Sequence, residues 1–189
     1  MILPVFAYGH PVLREKCADV NAATPDLAAL VNDMFETMYA TNGVGLAAPQ
    51  IGKALRVFVV DTAQIEDDEK RRSPGVKKVF FNARILSETG KMWAYEEGCL
   101  SIPFIRGDVS RHENVRIRYH DENWVQHEDV YFGLDARVVQ HEYDHIEGKL
   151  FIDKLSPMKK QIIRRKLDAI KTGQIDPDYK MRFAPPPRR

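Results

Sequence analysis

Cysteine is scarce in this sequence, with Cys17 and Cys99 the two examples among 189 residues. So few cysteines exclude a small disulfide-stabilised scaffold, and we expect both to be thiols. A run of about 18 apolar residues, the length that spans a bilayer, is also missing, so no membrane segment is predicted. The first residues lack a basic stretch followed by an apolar core, so no secretory signal is expected. These absences favour a cytoplasmic protein.

An excess of charge of one sign is lacking too, because 28 Lys and Arg residues are balanced by 27 Asp and Glu residues, for a formal net charge of +1. Domains that bind DNA usually carry a clear positive excess, so no specific DNA binding is predicted. A hydrophobic fraction of 44% and a charged fraction of 29% are typical of a globular protein with an apolar core. The length suits a single domain, and an enzyme is the default expectation.

Three segments have apolar residues at helical spacing. The first is predicted from Thr24, a candidate N-cap followed by Pro25, to Asn42, and the others cover 134–148 and 156–172. Short runs of β-branched and apolar residues predict strands at 55–61, 79–86, 115–119 and 128–132. Because these strands do not alternate regularly with helices, the pattern favours an α+β fold. Short antiparallel or mixed strands would surround the second helix, with one helix N-terminal and one C-terminal to it.

Two polar segments fall outside these elements. Residues 64–78 are dense in charge and include Ser73-Pro74-Gly75, so we expect an exposed and mobile loop there. Residues 173–189 end in a proline-rich run that can bury little apolar surface, so we expect a disordered tail. A single domain is therefore predicted over residues 1–172.

The second predicted helix carries His141 and His145, with Glu142 between them. Residues four apart lie on one face of a helix, so both imidazoles can reach one metal ion. Glu142 lies about 100° further round the same turn, close to a water molecule on that ion. A carboxylate there can take a proton from the water, as a metal-dependent hydrolase requires. The competing interpretation is two surface or core histidines that lie at helical spacing by chance. Two histidines do not complete a metal site, and a third ligand must lie elsewhere.

Cys99, in the run Glu96-Glu97-Gly98-Cys99-Leu100-Ser101, is the best candidate for the third ligand. A thiolate and two imidazoles suit a catalytic metal with one open position. Taken alone, however, this run favours a buried thiol that packs as a small hydrophobe. Two alternatives for the whole site also remain open. One is a metallopeptidase, whose third ligand follows the helix, and the other is a non-catalytic protein with a four-ligand structural metal.

A further stretch, Gly43-Val44-Gly45-Leu46-Ala47-Ala48-Pro49-Gln50, combines small residues with a terminal amide. Small residues allow a backbone to approach a ligand closely. Gln50 can both donate and accept hydrogen bonds. The same run is also typical of the tight turn that must connect the first helix to the strand at 55–61.

Together, these stretches resemble the three motifs of the peptide deformylases, in the family's order and without a substitution at any motif position. The motifs stand here as the run at 43–50, Glu97-Gly98-Cys99-Leu100-Ser101 and His141-Glu142-Tyr143-Asp144-His145. The resemblance extends over roughly residues 1–172 and implies a single catalytic domain. It implies a hydrolase that removes the N-formyl group from the N-terminal formylmethionine of newly synthesised polypeptides and releases formate. It also implies one divalent metal ion, Fe(II), which zinc, nickel or cobalt can replace.

The resemblance assigns roles to individual residues. Cys99, His141 and His145 would bind the metal, and metal-bound hydroxide would attack the formyl carbon. Glu142 would act first as general base and then as general acid. The side-chain amide of Gln50 and the backbone N–H of Leu100 would donate hydrogen bonds to the oxyanion.

The substrate is expected to bind as an extended peptide beside the backbone of Gly45. The residues expected to contact it are Val44, Gly45, Tyr95, Glu97, Gly98, Leu134 and Val138. Four of them, Val44, Tyr95, Leu134 and Val138, are candidates for the pocket of the methionine side chain, with ordinary core packing as the competing interpretation. Arg106 and Arg111 are weaker candidates for the site. Arg111 is a candidate to pair with Glu97 and hold the ligand loop, with a solvated arginine as the competing interpretation.

The last predicted helix has a strongly basic side. Nascent chains emerge at an RNA-rich surface, so this side is a candidate for ribosome association through phosphate contacts. A solvated face that keeps the protein soluble is the competing interpretation.

Overall fold

The computed structural model describes residues 1–65 and 74–185. Within these residues lie three α-helices: α1 (Leu27–Ala40), α2 (Gly133–Ile146) and α3 (Pro157–Lys171). The strands there are β1 (Val5–Phe6), β2 (Gly45–Ala47), β3 (Val57–Asp61), β4 (Lys77–Cys99), β5 (Ile102–His120), β6 (Gln126–Phe132) and β7 (Met181–Arg182). The α+β class expected from the sequence is confirmed. None of the described helices combines the length and apolar character needed to cross a membrane.

Five strands form one antiparallel sheet in the order β2-β3-β4-β5-β6. Its longest pair is the hairpin of β4 and β5, with 23 and 19 residues. The hairpin closes where Cys99 pairs with Ile102, so the turn at Leu100 and Ser101 lies at its tip. β1 and β7 come from opposite ends of the chain and pair in parallel as a separate small sheet.

The five-stranded sheet is covered on both faces, as β3 illustrates. Phe58 and Val60 join an apolar cluster with α2, whereas Val57 and Val59 join a second cluster with α1. All five residues of β3 are buried, which explains why this strand is an uninterrupted apolar run in the sequence. This packing fixes α2, the helix with the two histidines, against the sheet.

A third apolar cluster lies between β5 and α3. Ile102, Ile105 and Val109 from β5 meet Ile163 and Ile170 from α3. The start of α3 is as predicted, because the side chain of Ser156 accepts a hydrogen bond from the Lys159 backbone N–H. The cluster thereby supports the strand that follows the tip of the hairpin.

The start of α1 differs from the prediction. The helix begins at Leu27, after Asp26 in the left-handed region with φ 57° and no side-chain cap. Thr24, the predicted N-cap, instead accepts a hydrogen bond from the backbone N–H of Asn21 at 2.9 Å. A side chain that closes the preceding turn cannot also cap the helix, so the prediction for Thr24 is wrong.

The long hairpin is the largest difference from the predicted strands. The runs at 79–86 and 115–119 are only parts of β4 and β5. Residues 86–92 are all exposed, so this stretch lacks the alternation of buried and exposed residues on which strand prediction depends. β4 nevertheless continues through this stretch and ends at Cys99.

Residues 173–185 differ from the disordered tail that composition indicated. Gly173 follows α3 with φ +73°, a backbone conformation in which glycine is unstrained, and the chain then turns back. Met181–Arg182 forms β7, and Ile175 and Phe183 pack against the third cluster. Composition wrongly predicted disorder because these apolar residues are separated by polar ones and because β1, the partner of β7, lies at the other end of the chain.

Two predicted segments lie partly outside the described residues. These are 66–73 of the predicted loop and 186–189 of the predicted tail. The end of that loop, Lys77 and Lys78, opens β4 instead. Lys78 Nζ donates hydrogen bonds to Asp129 at 2.9 Å and to Tyr119 at 2.8 Å.

Candidate metal centre and active site

Three metal-ligating side chains converge where α2 faces the end of β4. Cys99 ends β4, and His141 and His145 lie about one turn apart on α2. One ligand atom from each of the three lies within 4.8 Å of the other two. Cys99 Sγ and His145 Nε2 are 3.3 Å apart. The structure thus brings the three predicted ligands together.

This donor set fits a divalent metal ion. Ligand atoms about 2.0–2.3 Å from a tetrahedral ion lie about 3.6 Å from one another, which is close to the separation of Cys99 Sγ and His145 Nε2. Thiolate and imidazole together suit zinc and iron. Three protein ligands leave one tetrahedral position open, as in catalytic rather than structural sites.

A buried carboxylate orients the first histidine. His141 Nδ1 donates a hydrogen bond to Glu97 Oε2 at 2.9 Å, which leaves Nε2 of the ring to serve as the ligand atom. Metal-binding histidines usually donate their other ring nitrogen in this way. Glu97 was expected to contact the substrate. Its side chain is only 4% exposed and contacts His141, one of the three candidate metal ligands.

Two arginines hold Glu97 in place. Arg111 donates to both of its carboxylate oxygens, at 2.7 and 3.0 Å, and Arg137 donates to Oε1 at 2.9 Å. Arg111 also donates to Asp144 of α2 at 2.7 Å. Burial alone would raise the pKa of Glu97, but hydrogen bonds from His141 and Arg111 hold this pKa well below its usual range. The expected pairing of Arg111 with Glu97 is confirmed.

Glu142 is buried beside the three ligands. Burial raises the pKa of Glu142 to about 7. A carboxyl group with a pKa near neutrality can both accept and donate a proton under ordinary conditions. Its Oε2 atom is buried and has no hydrogen-bond partner among the described residues. Such an uncompensated oxygen is suited to a small polar molecule that enters the site.

Gly45 makes room for this carboxylate. A Cβ atom built on Gly45 would lie 2.5 Å from Glu142 Oε1, closer than any side chain tolerates. The sequence indicated that small residues here allow a close approach of the backbone to a ligand. In the structure, the close approach at Gly45 is made to Glu142.

Gln50 lies beside Cys99 and is 2% exposed. Its Oε1 accepts a hydrogen bond from the Ala47 backbone N–H at 2.9 Å, which fixes the orientation of the amide. Nε2 then points to Cys99 Sγ and Ser101 Oγ, both at 3.4 Å. Both contacts are long, so the amide N–H groups are available to a better acceptor.

Comparison with known proteins identifies the family of this chain. The family model described as "Polypeptide deformylase" matches residues 2–161. The chain belongs to the polypeptide deformylase family. It is 53% identical to a peptide deformylase of Christiangramia forsetii over 189 residues, which cover 97% of this chain and 96% of that protein. It is 47% identical to a peptide deformylase of Flavobacterium psychrophilum, with both chains covered in full.

Solved structures of deformylases share the fold. A crystal structure from Legionella pneumophila superposes with a TM-score of 0.79 at 41% identity, covering 92% of this chain and 98% of that one. A plant peptide deformylase superposes with a TM-score of 0.81 at 34% identity, covering 91% and 90%. Deformylases are metalloenzymes that remove the N-formyl group from nascent polypeptides. The expected hydrolase is therefore confirmed, and the alternatives of a metallopeptidase and a structural metal protein are wrong.

The candidate metal centre opens into a cavity of about 610 Å³. All residues expected to contact substrate line it, namely Val44, Gly45, Tyr95, Glu97, Gly98, Leu134 and Val138. So do Gln50, Leu100, Glu142, Cys99 and His141. His145 is not among the lining residues and lies behind them, 1% exposed. Arg106 lines the cavity too, and its Nε donates to Glu96 Oε2 at 2.9 Å.

The sequence interpretation missed three residues that line this cavity or support the candidate metal centre. Arg137 lies four residues before His141, so helical spacing places it on the same face and could have identified it. Its guanidinium lies 4.5 Å from the ring centroid of Trp93, and it is held there by Glu97. Asp144 stood inside the histidine motif. Tyr179, which lines the cavity, belongs to the expected tail and had no local signal.

Proposed function

We propose that this chain hydrolyses the formamide of an N-terminal formylmethionine with one divalent ion held by Cys99, His141 and His145. The observation that carries the proposal is Glu142, a buried carboxylate with an uncommitted oxygen beside three clustered ligand atoms. When bound, the ion would supply Lewis acidity, which lowers the pKa of water. The remaining steps belong to groups of the protein.

Glu142 acts as general base and then as general acid. Its Oε2 takes a proton from the attacking water as the new C–O bond forms at the formyl carbon. It returns this proton to the nitrogen as the C–N bond breaks, which yields formate and a free amino terminus. A pKa of about 7, raised by burial, suits both halves of this cycle because neither transfer is strongly uphill near neutral pH.

Gln50 and Leu100 stabilise the negative charge that develops on the formyl oxygen. The Gln50 amide is fixed in orientation by Ala47, with Nε2 directed at the metal centre. The backbone N–H of Leu100 follows the ligand Cys99 directly, and Leu100 lines the cavity. Donors positioned before the reaction strengthen their hydrogen bonds as charge develops, which lowers the barrier.

The substrate lies in the cavity as an extended peptide beside Gly45 and Gly98. Val44, Tyr95, Leu134 and Val138 form the pocket for the methionine side chain, whose flexible thioether suits an apolar surface. Leu134 and Val138 lie four residues apart on α2, so they present adjacent parts of one face. Glu97 acts on His141 in this proposal and not on the substrate.

The test of the proposal is formate release from formyl-Met-Ala-Ser. Protein purified anaerobically would be stripped with a chelator, then reloaded with Fe(II) or Ni(II) to one ion per chain. We expect the stripped protein to be inactive and the reloaded protein to release one formate for each new amino terminus. Absence of formate release at full metal occupancy would contradict the proposal.

We propose Fe(II) as the native metal, with zinc, nickel or cobalt as replacements, and the cytoplasm as the compartment. The choice of iron rests on the family resemblance, since the ligand set suits zinc equally well. Metal analysis of protein isolated anaerobically from its native cells would test it. Stoichiometric zinc with no iron would contradict the assignment.

We also propose that the basic side of α3 favours contact with the ribosome. Arg164, Arg165 and Lys166 are exposed and carry three adjacent positive charges. Replacing all three by Gln should weaken co-sedimentation with ribosomes and reduce its salt dependence. The matched control replaces Lys16, Lys53 and Lys91, which are exposed elsewhere. If both variants co-sedimented with ribosomes to the same extent as wild type, the basic side of α3 would not contribute to ribosome binding.

A further inference from the structure

The C-terminal segment contributes a side chain to the active-site cavity. Tyr179 lines the cavity, and its hydroxyl donates a hydrogen bond to the carbonyl oxygen of Leu100 at 2.7 Å. Leu100 follows the metal ligand Cys99 at the tip of the β4–β5 hairpin. The family model ends at residue 161, so this contact comes from a part of the chain beyond the matched region.

The backbone around Tyr179 is anchored on both sides. Before it, Gln174 N–H closes the end of α3 on Ala169 O at 2.8 Å. After it, Lys180 O accepts from Val5 N–H and Arg182 O accepts from Ala7 N–H, both at 2.9 Å. The apolar side chains of this segment add contacts with the third core cluster. The position of Tyr179 is therefore set by strand pairing and packing.

The tip of the hairpin is held from two directions. Tyr179 from the C-terminal segment binds Leu100 O, and the backbone N–H of Tyr8 from the N-terminal segment binds Ser101 O at 2.8 Å. Leu100 O and Leu100 N–H belong to two peptide planes that share the Leu100 Cα atom, with only φ and ψ between them. Fixing the carbonyl therefore restricts the direction in which the N–H points.

We infer that Tyr179 is a positioning residue that orients the Leu100 N–H toward the developing oxyanion. The inference rests on the proposed function, because it is useful only if Leu100 donates to the formyl oxygen. It gives residues 173–185 a role in the reaction and does not require Tyr179 to touch the substrate. It also means that removing this segment would alter the active site, so ribosome association is better tested by charge substitutions.

The first test compares Tyr179→Phe with Tyr39→Phe. Each variant loses one hydroxyl that donates a hydrogen bond. The hydroxyl of Tyr179 donates to Leu100 O, and the hydroxyl of Tyr39 on α1 donates to Asp61 of β3. We expect kcat of Tyr179→Phe to fall about three- to tenfold, the effect of one net hydrogen bond. KM and metal content should remain as in wild type, since the donor acts mainly in the transition state. Tyr39→Phe should retain the wild-type kcat.

The second test measures hydrogen exchange of the Leu100 amide by NMR without substrate. We expect faster exchange in Tyr179→Phe and unchanged exchange in Tyr39→Phe. Unchanged exchange of the Leu100 amide in Tyr179→Phe would overturn the inference. If kcat of that variant nevertheless fell, Tyr179 would act by contacting the substrate. A loss of metal with unchanged kcat per bound ion would also overturn it, since Tyr179 would then be only structural. If wild type itself released no formate, the proposed function would fail, whereas the exchange data would still show whether Tyr179 orders Leu100.

Discussion

The two walls of the active-site cavity are built from different interactions. On the metal wall, buried charges satisfy one another, with Glu97 bonded to His141, Arg111 and Arg137. The other wall is the one proposed to bind the substrate, and it is called the substrate wall. Its side chains are mainly apolar, namely Val44, Tyr95, Leu134 and Val138, and Phe104, which also lines the cavity, is 65% exposed. Removing one group from the first wall leaves a buried charge without its partner, whereas removing one from the second loses only contact area. The same kind of truncation should therefore have very different consequences on the two walls.

The largest effect is expected at Cys99, with Cys17 as the matched control. Cys99→Ala removes one of three ligands, so metal and turnover should both be lost almost completely. Cys17 is buried among apolar residues, and burial raises the pKa of its thiol to about 12, so it has no thiolate to offer. Cys17→Ala should keep a full complement of metal, as measured by elemental analysis of the dialysed protein. Equal metal content in the two variants would contradict the assignment of Cys99.

Gln50→Ala should have the next largest effect on turnover. Loss of one oxyanion donor typically lowers kcat by about 10²- to 10³-fold. KM for formyl-Met-Ala-Ser should change little, because the amide acts on charge that develops only during the reaction. Steady-state kinetics at full metal occupancy would measure both constants. A variant with wild-type kcat would remove Gln50 from the oxyanion site.

Arg111→Ala tests the metal wall through stability. The change leaves Glu97 and Asp144 buried with one partner fewer, and breaking such a buried pair costs about 3 kcal/mol of unfolding free energy. The control is Arg84→Ala, which breaks an exposed pair with Asp19 and should cost less than about 1 kcal/mol. Urea denaturation of the two variants would compare them. Equal stability, with unaltered metal content and activity, would show that Arg111 does not hold the metal wall.

The smallest effect is expected on the substrate wall. Val138→Ala removes about two methylene groups of contact area from the methionine pocket, which should raise KM roughly tenfold and leave kcat nearly unchanged. Metal content should equal that of wild type. If kcat fell and KM stayed constant, Val138 would act on the metal wall, and the distinction between the two walls would not hold.

The three candidate metal ligands were predictable because they lie in short sequence motifs. The spacing of His141 and His145 on one helix indicated the site directly, and α2 has nearly the predicted bounds. The role of Glu97 was not predictable in the same way, because it depends on Arg137 of α2 and on the long hairpin that places Glu97 next to His141. Helical spacing could have identified Arg137, but nothing local indicated that its partner would be a carboxylate from β4.

The C-terminal segment was not predictable from local sequence. The polar composition of 173–185 indicates disorder, whereas the structure pairs β7 with β1 from the other end of the chain. Such long-range pairing depends on where the core has already placed the two ends, which no window of sequence contains. The long β4–β5 hairpin was missed for a related reason, since its exposed part is stabilised by pairing and not by an apolar face.

The central claim is that Glu142 performs the proton transfers beside a metal that it does not bind. The most direct measurement is formate release by Glu142→Ala, with Glu142→Gln as a companion of nearly the same shape, at a measured metal content. Both variants should retain one ion per chain and lose turnover by up to about 10⁴-fold, as expected for removal of a general base. Wild-type turnover in either variant at full metal occupancy would contradict the account.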